Sequence, residues 1–208
     1  ILPKINLKIN PHKLKFNFNS GDVIINKTMD LKIIAGLGNP LKGYKTSRHN
    51  VGSLFIDYLA FQNKIKFEKK ENLSSLIAKT KINNCEVLIL KPLVFMNESG
   101  IAIGKALKFF KLKPKDLLVI QDDSDLIFKT VKLVKNRNSA GHHGIESIIG
   151  NLKTKDFFRL RIGIRDRGLK AKAEKFVLNN FTKEEMEILE KEIFPKALEI
   201  VINWLKTT

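Results

Sequence analysis

One stretch of the chain, residues 31–40, reads Leu31-Lys32-Ile33-Ile34-Ala35-Gly36-Leu37-Gly38-Asn39-Pro40. A short, nearly continuous apolar run that ends at a glycine turn is typical of a buried strand in a sheet covered on both faces. Because glycine has no Cβ atom, we interpret the two glycines as space for Asn39 and for the backbone of a ligand. The stretch therefore predicts a buried strand that delivers Asn39 to a functional edge.

Strand and helix patterns alternate along the rest of the chain. Further apolar strand patterns cover residues 76–80, 85–91, 117–120, 129–135 and 159–164, and the lysine-rich residues 63–72 indicate a solvated connection. Helical patterns begin after His49, Ser99 and His142, and the second of them is expected to end at Pro114. Thr182 and Glu185 form a capping box at the start of a final helix, which is expected to bend at Pro195. This order predicts an α/β fold: a single three-layer domain with a mixed, largely parallel sheet flanked by helices and a long C-terminal helix.

Residues 1–28 differ from the rest of the chain, because they are rich in Lys and Asn and are interrupted by Pro and Gly. We expect them to be an N-terminal extension, non-native or weakly ordered, and residues 29–208 to form the α/β domain. A β-ribbon packed on the domain is the alternative. Leaving out five lysines and one aspartate lowers the net charge only from +17 to +13.

The chain carries 38 Lys+Arg against 21 Asp+Glu. A positive field of this size favours nucleic acid or an anionic membrane surface as a partner, and a solvated lysine-rich surface is the alternative. The single cysteine, Cys85, excludes an intrachain disulfide and fits a reducing compartment. No run approaches the roughly 20 apolar residues that cross a bilayer. We therefore expect a soluble, cytoplasmic protein that does not cross a membrane.

His49 is the strongest candidate for proton transfer, since it opens a helical pattern ten residues after Asn39. Asp122 and Asn97 follow other predicted strands, and strands that end at one edge of a sheet bring such groups together. A carboxylate that holds one imidazole nitrogen makes the other nitrogen a general base. No serine or cysteine stands in a nucleophile motif, so the attacking group would be water, with Asn39 and Asn97 supplying amides.

Two other chemistries are weaker. A dinucleotide site would use Gly36, Gly38 and Asp57, but Leu41 stands at the third glycine position and Pro40 interrupts the helix start. A metal site would use the acidic and histidine groups Asp122, Asp123, Asp125, His142 and His143. These residues lack calcium-loop spacing, and adjacent histidines rarely bind one ion, so we expect no metal.

Several motifs in series carry a family resemblance. They are Gly36-Leu37-Gly38-Asn39-Pro40, Tyr44 with Arg48-His49-Asn50-Val51-Gly52, Phe95-Met96-Asn97-Glu98-Ser99-Gly100, Asp122 with Asp125-Leu126, and Arg159-Leu160-Arg161-Ile162-Gly163-Ile164. In order and spacing they resemble the bacterial-type peptidyl-tRNA hydrolases. The resemblance implies hydrolysis of the ester between a peptide and the 3′-terminal ribose of tRNA, which recycles tRNA for translation. It implies no cofactor and no metal, tRNA as the partner, and a monomer.

The resemblance also implies residue roles. His49 would activate water, Asp122 would hold its basic form, and Asn39 would distinguish N-blocked peptidyl-tRNA from free aminoacyl-tRNA. Contacts with the tRNA end or the peptide would come from Tyr44, Phe95, Met96 and Asn97. His143 stands where the family has a substrate-contacting asparagine. The clamp for tRNA phosphates would involve Lys132, Lys135, Arg161 and Lys170. The alternative is a non-catalytic RNA-binding protein of the same fold.

Overall fold

The computed structural model describes residues 31–166 and 176–207, so the expectations for residues 1–28 and for Lys170 lie outside the described residues. One seven-stranded sheet has the order β2-β3-β4-β1-β5-β7-β6. Its strands are β1 Lys32–Gly36, β2 Glu68–Lys70, β3 Ser75–Ile82, β4 Cys85–Pro92, β5 Leu117–Ile127, β6 Val131–Lys135 and β7 Phe158–Arg165. The four central strands are parallel and the outer three are antiparallel, which confirms the mixed sheet.

Helices cover both faces of the sheet. They are α1 Val51–Gln62, α2 Ser99–Phe109, α3 His143–Leu152, α4 Lys183–Ile188 and α5 Phe194–Thr207. Apolar residues of α1 and α5 form one core with side chains such as Ile34 and Ile120, and those of α2 and α3 form the other with Ile33 and Val119. Adjacent strand residues thus serve opposite cores, as the pleat requires. The predicted three-layer α/β domain is confirmed.

The glycines after β1 bring α1 close to the sheet. A Cβ atom on Gly36 would lie 2.3 Å from the carbonyl oxygen of Gly52, and one on Gly52 would lie 2.1 Å from that of Ile120. A Cβ on Gly38 would lie 2.8 Å from the Cβ of Ser53. The interpretation of Gly36 and Gly38 as space for a ligand was therefore wrong. They allow the first turn of α1 to pack on the ends of β1 and β5.

Strand β5 is longer than predicted. Asp122 was expected just beyond the strand, but β5 continues to Ile127 because its ladder with β7 runs through the pairs Asp122↔Ile162 and Asp123↔Gly163. The expectation that Asp122 follows the strand was wrong. Asp122 is instead a buried strand residue, held more rigidly than a loop residue would be.

Two connections also differ from their predictions. Residues 63–72 contain the edge strand β2, whose first two side chains are exposed, so no apolar alternation marked it. Helix α2 ends at Phe109, and Lys111 has a φ of 55°, so the prediction that Pro114 ends the helix was wrong. Pro114 begins a separate 3₁₀ turn, Pro114–Asp116.

The C-terminal helix begins at the predicted capping box, whereas its bend at Pro195 stays a prediction. Thr182 Oγ1 accepts a hydrogen bond from the Glu185 amide, and the Glu185 carboxylate accepts one from the Thr182 amide. A π-helical turn, Leu189–Ile193, separates α4 from α5. Pro195 is the second residue of α5, and its nitrogen carries no hydrogen to donate. Within the described ranges, none of the helices combines the length and apolarity needed to cross a membrane.

Candidate active site

His49 lies in a 3₁₀ turn, Arg48–Asn50, directly before α1, and its ring is buried. Its Nδ1 atom is 2.8 Å from Asp122 Oδ1. An ionised carboxylate can only accept hydrogen bonds, so Nδ1 donates, and in the neutral ring Nε2 carries the free lone pair. The structure thus brings together the two residues that the sequence paired, in the arrangement of a general base and its orienting carboxylate.

The electrostatics of the pair favour proton uptake by His49. Burial lowers the pKa of His49, but the charge and hydrogen bond of Asp122 outweigh burial and raise this pKa above its usual value. Burial raises the pKa of the Asp122 carboxyl, but the neighbouring His142 and His49 together hold it well below its usual range. Asp122 is therefore ionised at neutral pH, and His49 is a stronger base than a histidine in water.

His142 was considered in the sequence only as a metal ligand, and its contact with Asp122 beside His49 was not predicted. Its Nε2 atom lies 3.0 Å from Asp122 Oδ1, the same oxygen that His49 contacts. The two imidazole rings lie 4.9 Å apart between centroids. The available signal was the position of His142 just before a predicted helix, where a side chain can cap the helix. The neighbouring His143 was predicted as the site residue instead.

His143 lies on the exposed side of the α3 start. Its Nδ1 atom is 3.3 Å from the Glu146 carboxylate, and it makes no hydrogen bond to Asp122. It lines the rim of the same pocket as His49. Adjacent positions on the chain thus have different surroundings, and contact between His143 and tRNA stays a prediction.

Asn39 presents an amide donor to the site. Its Oδ1 atom accepts a hydrogen bond from the Met96 backbone amide at 2.9 Å, which identifies the other side-chain atom as Nδ2. The side chain of Asn50 holds the Asn39 backbone from both sides, at 2.8 Å and 3.0 Å. Asn39 Nδ2 has no hydrogen-bond partner among residues 31–166 and 176–207. The loop is therefore fixed while one amide remains available.

A pocket of about 850 Å³ joins these groups. Seven of the predicted site residues line it: Asn39, His49, Phe95, Met96, Asn97, Asp122 and His143. Phe95 and Leu178 are large apolar side chains that remain about half exposed there. The pocket thus offers an apolar surface beside amide groups and a base, which suits a peptide.

Other predicted residues lie away from the pocket. Tyr44 is half-buried and does not line it. Arg161 forms an ion pair with Asp123, and Lys132 lies opposite Arg161 on the edge strand β6. Lys135, also on β6, is 2.8 Å from the Asp156 carboxylate. Their contact with tRNA stays a prediction, as does that of Lys170.

Arg48 fixes the chain beside His49, a role that was not predicted from the sequence. Its guanidinium lies between the rings of Phe176 and Phe181, at 4.6 Å and 4.9 Å from their centroids, and 2.6 Å from the Glu185 carboxylate. The His49 amide also donates to the Val177 carbonyl at 2.8 Å. Because Val177 and Leu178 line the pocket, these contacts hold one pocket wall against the histidine turn.

The groups around Asp122 also form a possible set of metal ligands. The ligand atoms of His49, Asp122 and His142 lie within 4.8 Å of one another. However, His49 Nδ1 and His142 Nε2 already form hydrogen bonds with Asp122 Oδ1. The described contacts are those of two imidazole rings hydrogen-bonded to one carboxylate, and the adjacent His143 is not part of this group.

Comparisons with known proteins identify the family of this chain. The family model for peptidyl-tRNA hydrolase matches residues 33–208. A peptidyl-tRNA hydrolase of Mycoplasma mycoides subsp. mycoides SC is 43% identical over 166 residues, which cover 80% of this chain and 89% of that protein. One of Desulfitobacterium hafniense is 42% identical over 176 residues, covering 85% and 94%.

Solved structures agree as well. The crystal structure of peptidyl-tRNA hydrolase from Acinetobacter baumannii superposes with a TM-score of 0.71 at 26% identity, covering 85% of this chain and 94% of that one. The residues matched by the family model include the helices, nearly all of the sheet and the turn that carries His49. The chain therefore belongs to the peptidyl-tRNA hydrolase family.

Proposed function

We propose that this chain hydrolyses the ester bond between the peptide and the 3′-terminal ribose of tRNA with a water molecule activated by His49. Family membership supports peptidyl-tRNA as the substrate. The observation that carries the residue roles is the 2.8 Å hydrogen bond between His49 Nδ1 and the buried Asp122 carboxylate at the wall of the pocket. Phosphate binding alone requires neither group, so the pair favours an enzyme over a non-catalytic RNA-binding protein.

The proposed reaction depends on the tautomer of His49. Nε2 takes a proton from water while the water oxygen attacks the ester carbonyl carbon, and the carbonyl oxygen becomes an oxyanion. When the tetrahedral intermediate collapses, the bond to the ribose oxygen breaks and His49 Nε2 returns its proton to that oxygen. The products are a peptide carboxylic acid and tRNA with a free ribose hydroxyl. Asp122 stays ionised throughout and stabilises the imidazolium.

Asn39 explains how the pocket would select a blocked substrate. Its free Nδ2 can donate a hydrogen bond to a carbonyl oxygen, either of the ester or of the amide that blocks the substrate amino group. An unblocked aminoacyl group offers an ammonium in place of that amide, and an ammonium cannot accept a hydrogen bond. We assign Asn97, an exposed amide on the same pocket, to positioning the substrate.

The test is incubation of the purified chain with an N-acetylated aminoacyl-tRNA and with its unblocked counterpart, each after exhaustive chelation. We expect cleavage of the blocked ester at least about 100-fold faster, consistent with loss of a required hydrogen bond in a polar site. Cleavage should persist without divalent metal, as proposed for a water activated by histidine. Binding of both RNAs with cleavage of neither would instead establish the RNA-binding alternative.

We also propose that residues 29–208 act as a monomeric cytoplasmic enzyme without help from residues 1–28. If residues 1–28 are the weakly ordered extension that we propose, their deletion should leave Tm within about 2 °C and kcat/KM within about twofold of the full chain. Thermal unfolding, initial rates and size-exclusion chromatography measure the three expectations. A large loss of stability or activity would show that this segment packs on the domain.

A further inference from the structure

We propose that His142 is a positioning residue, locked as a neutral Nε2–H donor, that holds the Asp122 carboxylate toward His49 and moderates the basicity of His49. This inference rests on the proposed role of His49 as the base. It concerns a contact that the proposed reaction steps do not use, namely the one between His142 Nε2 and Asp122 Oδ1 at 3.0 Å.

The start of α3 determines the tautomer of His142. His142 is the N-cap residue of α3, and its Nδ1 atom accepts hydrogen bonds from the amides of Gly144 at 3.1 Å and Ile145 at 3.4 Å. A nitrogen that accepts from two N–H groups carries no proton. The single proton of the neutral ring is therefore on Nε2, where it is donated to Asp122. A protonated His142 would place an N–H against the two helix amides.

Two imidazole donors thus share one carboxylate oxygen. His49 Nδ1 lies 2.8 Å from Asp122 Oδ1, and His142 Nε2 approaches the same oxygen from α3. The side chain of Asp122 is held between the turn before α1 and the start of α3, while its backbone carbonyl accepts a bond from Gln121 Nε2. The carboxylate is fixed in orientation, and part of its negative charge is taken up by the His142 N–H.

The other charged groups around the site have their own partners or lie at its rim. On β5, Asp123 is paired with Arg161 of β7, and Asp125 is exposed. On α3, His143 faces Glu146. On the turn before α1, the Arg48 guanidinium lies beside Glu185 and Asp166. Among the described residues, the groups hydrogen-bonded to the Asp122 carboxylate are the two histidines.

Two substitutions separate the capping and positioning roles of His142. In His142→Asn the amide oxygen lies near the place of Nδ1 and can cap α3, but the side chain is too short to reach Asp122. In His142→Gln the amide nitrogen lies near the place of Nε2 and can donate to Asp122, but the cap is lost. His143→Asn is a matched control, since it removes the adjacent histidine, which makes no hydrogen bond to Asp122.

We expect His142→Asn to keep Tm near that of the unmodified chain. Its kcat should fall by about tenfold, because a hydrogen bond to a charged group is lost. The acidic limb of its pH–rate profile should move to higher pH. The limb moves in this direction because an Asp122 charge that is no longer shared raises the pKa of His49. His142→Gln should keep the pH midpoint, retain a higher kcat than His142→Asn, and lower Tm by about 3 °C. His143→Asn should leave the pH midpoint in place.

Initial rates against pH and thermal unfolding of the full chain measure these outcomes. His142→Asn with an unmodified pH midpoint and kcat, together with loss of activity in His142→Gln, would show that His142 is only a helix cap. The role of His49 is tested separately, because it predicts loss of turnover when the His49 ring is removed in His49→Ala. If removal of that ring leaves turnover intact, the proposed function is wrong and the inference fails with it.

Discussion

Replacing His49 by alanine should lower turnover of an N-acetylated aminoacyl-tRNA by about 10³-fold, while the Kd for tRNA changes by less than about threefold. A positioned general base supplies about 10² to 10⁴ in rate, and His49 is the group whose free nitrogen remains once Asp122 has fixed the other. Binding should persist because a tRNA complex depends mostly on phosphate contacts, which are made by cationic groups rather than by a neutral imidazole. Single-turnover rates and filter binding measure the two quantities.

His49→Asn is the matched control for His49→Ala. The asparagine amide can still donate to Asp122, so the buried carboxylate keeps a partner, but an amide cannot take up a proton near neutral pH. We expect the same loss of turnover in both variants and a smaller loss of stability in His49→Asn. Near-normal turnover in either variant would contradict the assignment of His49 as the base.

Replacing Asp122 by asparagine should lower the plateau of kcat/KM by about 10² to 10⁴ and move its acidic limb to lower pH. The limb reports protonation of His49, whose pKa Asp122 raises, so activity of the unmodified chain is lost as the pH falls through that raised pKa. Without the charge, burial dominates and lowers the pKa of His49. The plateau falls because an asparagine N–H can donate a hydrogen bond to His49 Nδ1. This contact favours the His49 tautomer whose proton is on Nε2, and in that tautomer Nε2 cannot accept a proton from water.

Asp125→Asn is the control for Asp122→Asn, because Asp125 lines the same pocket but is exposed and makes no hydrogen bond to His49. It removes one carboxylate charge at the pocket rim, where solvent screens its effect. We expect its pH midpoint to stay close to that of the unmodified chain. An Asp122→Asn enzyme with the pH profile of the unmodified chain would rule out Asp122 as the partner of His49.

Several features of the fold could be predicted because they depend on local patterns. The buried strand before Gly36, the helix after His49 and the capping box of Thr182 and Glu185 all arise from apolar spacing or from side-chain chemistry within four residues. The edge strand β2 could not be predicted in this way. Its side chains are mostly exposed, and only pairing with β3 makes it a strand.

The site shows the same division between local and distant information. The pairing of His49 with Asp122 was predictable, since each follows one of two apolar runs that form the adjacent parallel strands β1 and β5. The choice between His142 and His143 was not, because both histidines adjoin the same helix start. The geometry of the N-cap directs His142 to Asp122 and leaves His143 at the surface.

The order of strand, glycine turn and histidine in residues 31–52, the alternation of strands and helices, and the residue types of a water-activating base all follow from the order of residues along the chain. The function of the glycines and the set of groups that share Asp122 depend on how distant segments pack. Gly36 and Gly52 allow α1 to pack against β1 and β5, and this packing sets His49 beside a carboxylate 73 residues away. Close approach and hydrogen-bond direction depend on contacts between distant segments, which residue spacing along one chain does not specify.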